Sequence, residues 1–353
     1  MISVKLRDWY QKNKRDLPWR KTDDPYIIWI SEIMLQQTRV AQGYDYFLRF
    51  TERFPDVRSL AEAPEDEVMK HWEGLGYYSR ARNLHVTAKR IVEEFGGIFP
   101  SDYETVLSLK GIGEYTAAAI VSISWNKPYA VVDGNVYRVL SRLFGVETPI
   151  DTGKGKKEFA ELAAHIMDVK HAGEHNQALM EFGALYCIPR NPDCESCIFA
   201  DRCLAYAKGN VSQLPVKQGK TKVRHRYFYY FHILSGRDTF LNRRGKGDIW
   251  EGLYEFPLIE TDRKMDFVEI EQTAAFRQLF SGSLHLEINS TLTDVKHVLS
   301  HQILHAVFFQ IRLDCIGEGM EDYLRIPSGN LDDYAFPRLL HIYLEKIKGN
   351  LAK

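Results

Sequence analysis

Across residues 1–208, apolar side chains recur at intervals of three and four, the spacing that lines one face of an α-helix. The pattern predicts helices over 26–50, 65–72, 81–95, 116–125, 136–144, 156–167 and 176–187. Glycine and proline mark turns at Phe54-Pro55, Gly96-Gly97, Lys110 to Gly113 and Gly153 to Gly155. After Gly209 a polar, lysine-rich stretch leads into 226–234, dense in β-favouring aromatics, and 284–288 and 306–313 alternate or run apolar as strands do. Helical spacing returns at 269–280 and 336–347, so the second part reads as α+β.

Length agrees with two units. At 353 residues the chain exceeds one ordinary domain of roughly 150 residues. The boundaries read as a helical region 1–208, a linker 209–222 and a second domain 223–353. With 45% hydrophobic and 26% charged residues and no low-complexity tract, disorder is excluded. Charges interrupt every apolar run near the N-terminus, unlike a signal peptide. The longest apolar stretch, 117–125, is too short to span a membrane, so the expectation is a cytoplasmic protein. A net charge of −1 carries no global sign of nucleic-acid binding, and any field that attracts phosphate must be local. Lys217, Lys220, Lys222, Arg224 and Arg226 form one such basic segment, readable equally as a solvated linker.

Four of the five cysteines cluster at Cys187, Cys194, Cys197 and Cys203, separated by six, two and five residues. Without a secretory signal, that grouping points to a metal centre and not to disulfides. Four thiolates suit tetrahedral zinc or an iron–sulfur cluster, and the residue types alone do not separate the two. Gly111 and Gly113, just before a predicted helix, allow a tight turn that leaves helix-start N–H groups open to a phosphate. Asp133 opens the segment Gly134-Asn135-Val136-Tyr137-Arg138 as a helix cap, where it is expected to stay ionised. Glu32 lies among apolar neighbours in Trp29 to Thr38, where burial would keep it protonated near neutral pH. One protonated and one ionised acid is the pairing expected for breaking a glycosidic bond.

The cysteine spacing after a helix, with Leu109-Lys110-Gly111-Ile112-Gly113-Glu114-Tyr115, resembles the endonuclease III, or helix–hairpin–helix, superfamily of DNA glycosylases. Leu35-Gln36-Gln37-Thr38 with Glu32, and Gly74-Leu75-Gly76-Tyr77-Tyr78-Ser79-Arg80, closely resemble its MutY family of adenine glycosylases over nearly the whole chain. The resemblance implies a mainly α catalytic region made of a six-helix helix–hairpin–helix module (21–127) and a 4Fe-4S iron–sulfur cluster module (1–20 with 128–208). A C-terminal α+β domain like MutT and the Nudix hydrolases would follow. It implies a monomer that acts in base excision repair, flips adenine from 8-oxoguanine:adenine or guanine:adenine mispairs in duplex DNA, and hydrolyses its N-glycosidic bond. Cys187, Cys194, Cys197 and Cys203 would hold the cluster. Glu32 would protonate adenine and handle the water, Asp133 would stabilise the cationic sugar, and Tyr115 and Asn135 would position Asp133 and the water.

Tyr115 stands where lyases of the superfamily carry a Schiff-base lysine, so a monofunctional enzyme is implied, with Lys110 leaving weak adventitious lyase chemistry open. Arg20 and Gln177 would contact the extruded adenine. Gln37, Thr38, Leu75 and Tyr77 would lie near the oxidised guanine, with Gln37 and Tyr77 entering the DNA stack. Trp250 to Pro257 carries the resemblance to MutT, but 261–280 supplies only Glu269 and Glu271 where a working Nudix enzyme has a helix rich in paired acids. Lesion recognition is therefore expected there, not pyrophosphate hydrolysis. In the recognition loop Ser300 and His301 fit the family pattern, while Leu299 replaces its aromatic. Three rival readings are a bifunctional lyase, a lesion-binding protein without catalysis and a Nudix phosphohydrolase. Tyr115, the Glu32 and Asp133 pair, and the missing acid-rich helix argue against them in turn.

Overall fold

The computed structural model describes residues 2–219 and 223–351. In chain order the first part is helical: α1 (Ile2–Asn13), α2 (Pro25–Leu35), α3 (Val40–Arg53), α4 (Val57–Glu62), α5 (Glu65–His71), α6 (Ser79–Phe95), α7 (Tyr103–Leu107), α8 (Glu114–Trp125), α9 (Gly134–Phe144), α10 (Gly153–Ile166), α11 (Ala172–Leu185) and α12 (Leu204–Ala207). The rest comprises β1 (Arg224–Ser235), β2 (Asp238–Arg243), β3 (Tyr254–Glu255), β4 (Leu258–Thr261), α13 (Phe267–Glu271), α14 (Ala274–Leu279), β5 (Leu284–Val298), β6 (Gln302–Cys315), β7 (Leu324–Pro327) and α15 (Arg338–Leu351). Two compact units emerge: Met1–Glu62 with Asn83–Lys220, and Ala63–Arg82 with Thr221–Lys353. The excursion 63–82, which carries α5 and the Gly74–Arg80 loop, groups with the C-terminal residues. No helix among the described residues is long and apolar enough to cross a membrane.

In the first unit, one core joins α1, α9, α10 and α11 through Leu6, Trp9, Val139, Leu140, Phe159 and Phe182. Trp9 meets Phe182 edge-on at 5.1 Å, an arrangement that aromatic rings favour. The predicted run 26–50 is two helices, because the polar Gln36 to Arg39 interrupts it and Gln37 takes a left-handed backbone with φ 57°. Gly153 to Gly155 is not a turn between helices but the first turn of α10. There the Thr152 hydroxyl accepts the Gly155 N–H, and a Cβ on Gly155 would come within 2.1 Å of the Pro149 carbonyl. Residues 216–219 of the predicted linker are docked: the Ile150 N–H donates to Val216 O, and the Asp151 carboxylate accepts the N–H groups of Gln218 and Gly219. Residues 220–222, with Lys220 and Lys222 of the basic segment, lie outside the described residues.

The second unit is built on a sheet in the order β3-β2-β1-β6-β5, with β4 also paired to β1 and β7 to β2. Strands β1 and β6 run parallel, from Arg224 beside Gln302 to Leu234 beside Arg312. Phe228, Tyr230 and Phe308 pack toward Leu339, Leu340 and Tyr343 of α15, while Tyr229, Phe231 and Phe309 pack toward Phe276 and Leu279 of α14. Both faces are covered, so 228–231 reads as a continuous aromatic run instead of an alternation. The predicted helix 269–280 is split, because the Thr273 side chain accepts the Phe276 N–H and starts α14 afresh. Strand β5 runs on to Val298, past the predicted end at 288, with two irregularities in its pairing; its added residues are largely polar and exposed and lack the alternation that marks strands in sequence. Arg226 leaves the basic segment. Its guanidinium is buried in β1 and bonds to Asp248 and Glu260 at 2.6–2.7 Å.

Candidate active site

A cavity of about 870 Å³ opens in the first unit, where α2, α8, α9 and α11 meet the short turn Pro18–Arg20. It gathers eight of the residues singled out in the sequence: Arg20, Glu32, Gln37, Thr38, Tyr115, Asp133, Asn135 and Gln177. Gly111, Gly113, Leu75, Tyr77, Ser300 and His301 do not line it.

Glu32 is half-buried on α2, and the Tyr115 hydroxyl at the start of α8 donates to its Oε2 at 2.6 Å. Burial raises its carboxyl, the Tyr115 bond opposes this, the nearby Asp133 charge adds to it, and the result is a pKa of about 7. Burial likewise keeps Tyr115 a neutral phenol. Asp133 caps α9: its Oδ1 accepts the Val136 N–H at 2.7 Å and its Oδ2 accepts the Asn135 amide at 2.7 Å. Those donors favour the charged form, yet burial outweighs them and the net shift is upward. Asp133 is the expected helix cap, and burial adds an upward push on its carboxyl that the cap position alone does not suggest. Where two acids are coupled, the proton goes to the one with the poorer support. Glu32 has one neutral donor and the Arg20 charge nearby, whereas Asp133 has two donors and the Arg138 charge nearby. Of the two carboxyls, Asp133 therefore has the better support for a negative charge.

Asn135 is itself held. Arg138 donates to its Oδ1 at 2.8 Å and to Gly183 O at 2.6 Å. Helix α11 approaches closely there, since a Cβ on Gly183 would lie 2.7 Å from the Asn135 Cβ. On the opposite wall, Glu181 is fully buried and receives both Arg20 nitrogens at 2.6 Å as well as the Arg15 guanidinium. Burial alone would raise its carboxyl, but the two arginines bring it down to about 2. Gln177, one turn earlier on α11, accepts the Tyr10 hydroxyl at 2.8 Å. Glu181, Arg15, Arg138 and Met180 escaped the sequence reading. The spacing of Gln177 and Glu181, four apart and so on one face of α11, was the available signal for the first of these.

The Gly74–Arg80 loop and the β5–β6 turn belong to the second unit. Tyr77 is exposed, left-handed with φ 48°, and its hydroxyl lies 2.8 Å from Ser300 Oγ. Leu75 is buried beneath the loop. Ser300 and His301 are both exposed at the turn, which is closed by the Leu299 N–H donating to Gln302 O. In the first unit, Gly111 has φ 82° and sits against Asn83, and Gly113 precedes the first turn of α8. Glu269 is engaged in a capping box with Asp266 and an ion pair with Arg263, so it is committed to structure.

The four clustered cysteines are free thiols, and all line one small cavity of about 30 Å³ with Arg142, Tyr186 and Val211. Burial raises the Cys187 and Cys194 thiols and takes Cys197 to about 11. The buried Arg142 lies 3.5 Å from the Cys187 sulfur and donates to the Ile188, Pro189, Val211 and Leu214 carbonyls. Among the described residues no three His, Cys, Asp or Glu side chains converge as ligands of one metal ion.

Residues 30–165 match the family described as HhH-GPD superfamily base excision DNA repair protein, and residues 229–346 match the NUDIX domain. The adenine DNA glycosylase of Buchnera aphidicola subsp. Acyrthosiphon pisum is 32% identical over 355 residues, covering 99% of each chain. The chain belongs to the adenine DNA glycosylase, or MutY, family. This glycosylase is accordingly a hydrolase of N-glycosyl bonds in base excision repair, with a helical endonuclease III-like region and a Nudix-like domain. Among solved structures, a thermostable thymine-DNA glycosylase aligns with TM-score 0.55 at 31% identity, over 59% of this chain and 95% of that one. An endonuclease III bound to DNA aligns with TM-score 0.52 at 21% identity over 59% of this chain and 94% of its own, a likeness of fold. Within the glycosylase, the matched helical segment contains Glu32, Tyr115 and Asp133, while Arg20, Gln177, Glu181 and the four clustered cysteines lie outside both matched segments.

Proposed function

We propose that the glycosylase removes adenine paired with 8-oxoguanine or guanine, by flipping it into the 870 Å³ cavity and hydrolysing its glycosidic bond without lyase chemistry. The observation that carries this reading is the pair of unlike acids on one cavity: Glu32 with a pKa of about 7, and Asp133 on a helix N-terminus with two hydrogen-bond donors. Glu32 delivers its proton to the departing base and then takes one from water. The negative charge of Asp133 offsets the cation that develops on the sugar, or captures it as a covalent intermediate. Arg20 and Gln177 hold the extruded base, their orientation supported by Glu181 and Tyr10. Tyr115 holds the Glu32 carboxyl, and Asn135 fixes Asp133 and the attacking water. Gly111 and Gly113 offer N–H groups to a phosphate.

On the same reading, Gln37 and Tyr77 enter the stack at the mispair, with Thr38 alongside and Leu75 supporting the loop from within. Ser300 and His301 read the oxidised base by hydrogen bonds. Cys187, Cys194, Cys197 and Cys203 hold a 4Fe-4S cluster, which supplies a closed cross-link or a redox centre and no open coordination position. The four thiols line one cavity, and their spacing resembles the cluster loop of the endonuclease III superfamily, which supports a cluster over a single zinc ion. A monomer on duplex DNA suffices for these roles.

Excision of adenine opposite 8-oxoguanine, developed by alkali cleavage of the abasic product, tests the reading. Product is expected only after alkali. No excision at saturating enzyme rejects the substrate, and strand cleavage without alkali rejects the monofunctional route.

A further inference from the structure

Residues 63–82 leave the helical region in sequence and pack with the C-terminal residues, and, beside the Tyr254–Asp66 and Tyr78–Phe336 hydrogen bonds, three sets of contacts to charged groups hold them there. Arg243 pairs with Glu65 and Asp66, but these side chains are about half exposed, and such solvated pairs contribute little. Arg82 donates to the Glu251 backbone. The third set centres on Glu73, whose side chain is only 14% exposed. Its carboxylate accepts the Phe336 N–H at 2.7 Å and the Lys70 ammonium at 2.7 Å, and lies 2.9 Å from His341 Nε2. Lys70 extends the same clasp to the Tyr334 carbonyl at 3.0 Å. Burial alone would raise the Glu73 carboxyl, but these donors pull it below its ordinary value, the mark of a stabilised anion.

Glu73 immediately precedes the loop that carries Leu75 and Tyr77. Beyond it the backbone turns through Gly74 at φ 89° and Gly76 at φ 79°. The Gly74 N–H donates to the Tyr78 hydroxyl, and the Gly76 carbonyl accepts both the Trp72 indole N–H and the Arg80 guanidinium at 3.1 Å. The loop is thus internally braced, and its foot is pinned through Glu73 to the segment that leads into α15. At its tip Tyr77 reaches Ser300.

We propose that Glu73 is a positioning residue for lesion recognition: by clasping Phe336, Lys70 and His341 it sets Tyr77 in register with Ser300 and His301. The inference rests on the proposed role of that loop. Nothing in the helix spacing of α5 demands an acid here, since Trp72 and Val68 already supply its buried face. The charge is explained by what it meets.

The test measures single-turnover excision of adenine opposite 8-oxoguanine and opposite guanine, with duplex affinity and melting temperature, in Glu73→Ala, Glu73→Gln and Tyr77→Ala. Glu73→Ala is expected to narrow the preference for 8-oxoguanine by about tenfold and to weaken the affinity for that duplex similarly, the scale of one lost charge-assisted contact. Glu73→Gln still accepts the Phe336 N–H but loses the charge, so about a threefold narrowing is expected; its ratio decides the matter if the alanine variant does not fold. A preference within twofold of the parent in both Glu73 variants, with Tyr77→Ala narrowed, overturns the clasp alone. An unchanged preference in Tyr77→Ala as well removes the role of the loop, and this inference with it.

Discussion

Replacing Glu32 by Gln should abolish catalysis and stabilise the protein, and the second effect has a calculable pH dependence. The carboxyl has a pKa of about 7 in the folded chain against 4.5 in the unfolded one. Between those values the folded state binds more protons, so this group favours folding less and less as pH rises from about 4.5 to 7. Above pH 7 the deficit is constant. At about 1.4 kcal/mol for each pKa unit it amounts to roughly 3 kcal/mol at pH 8, near 2 at pH 6 and under 1 at pH 5. Solvent reaching the cavity side of the half-buried carboxyl reduces these figures to about two-thirds. Glutamine keeps the shape and can still accept the Tyr115 hydroxyl, so it removes the titration and little else.

The assay is urea unfolding of parent and variant from pH 5 to 8, followed by hydrogen exchange of α2 and α8 peptides so that the second unit does not enter. The stability difference should grow with pH and level off above 7, while the parent's single-turnover excision rate falls through the same range as its acid is lost. Equal stability at every pH would falsify the raised pKa, and the acid role of Glu32 would go with it.

Asp133→Asn should lower excision by at least about a hundredfold with duplex affinity kept and stability within about 0.5 kcal/mol, because Asn caps a helix as well as Asp; lost affinity in a binding titration would make Asp133 chiefly structural. Gly183→Ala should cost about 1–3 kcal/mol by overpacking against Asn135, and should slow excision by displacing it from Asp133; paired melting and rate measurements check this, and a neutral variant would refute the close approach. His175 in the first unit and His232 in the second are buried, and burial lowers each to about 4 from 6.5. The unfolded chain binds the extra protons between those values, so stability falls as pH drops from about 6.5 to 4, by about 2 kcal/mol for each histidine at pH 5. Stability differences between the parent and His175→Gln, and between the parent and His232→Gln, that are the same at pH 7 and pH 5 would contradict this.

The parts of the fold written in local spacing were legible. Helices α6, α8 and α9 follow from apolar intervals, and the Asp133 cap and the cysteine spacing are local patterns too. Features set by partners far along the chain were not. Glu73 and Arg226 look like surface charges until Phe336, Asp248 and Glu260 arrive beside them. Glu181 reads as an ordinary helical acid, yet Arg15 and Arg20 fold back onto it from the other side of the cavity. The grouping of 63–82 with the C-terminal residues has no counterpart in periodicity, because α5 keeps a helical stripe whatever it packs against. Polar β5 failed for the opposite reason: its pairing with β6 carries the strand where side-chain alternation fades.

Gln37 and Tyr77, the two side chains proposed to enter the duplex, are also two of the few residues other than glycine with a left-handed backbone. That conformation costs on the order of 1 kcal/mol, and glycine or asparagine would relieve it. Directed evolution for heat tolerance alone would therefore exchange both and deliver a sturdier protein blind to mispairs. Thermostabilising libraries of this glycosylase should leave positions 37 and 77 untouched.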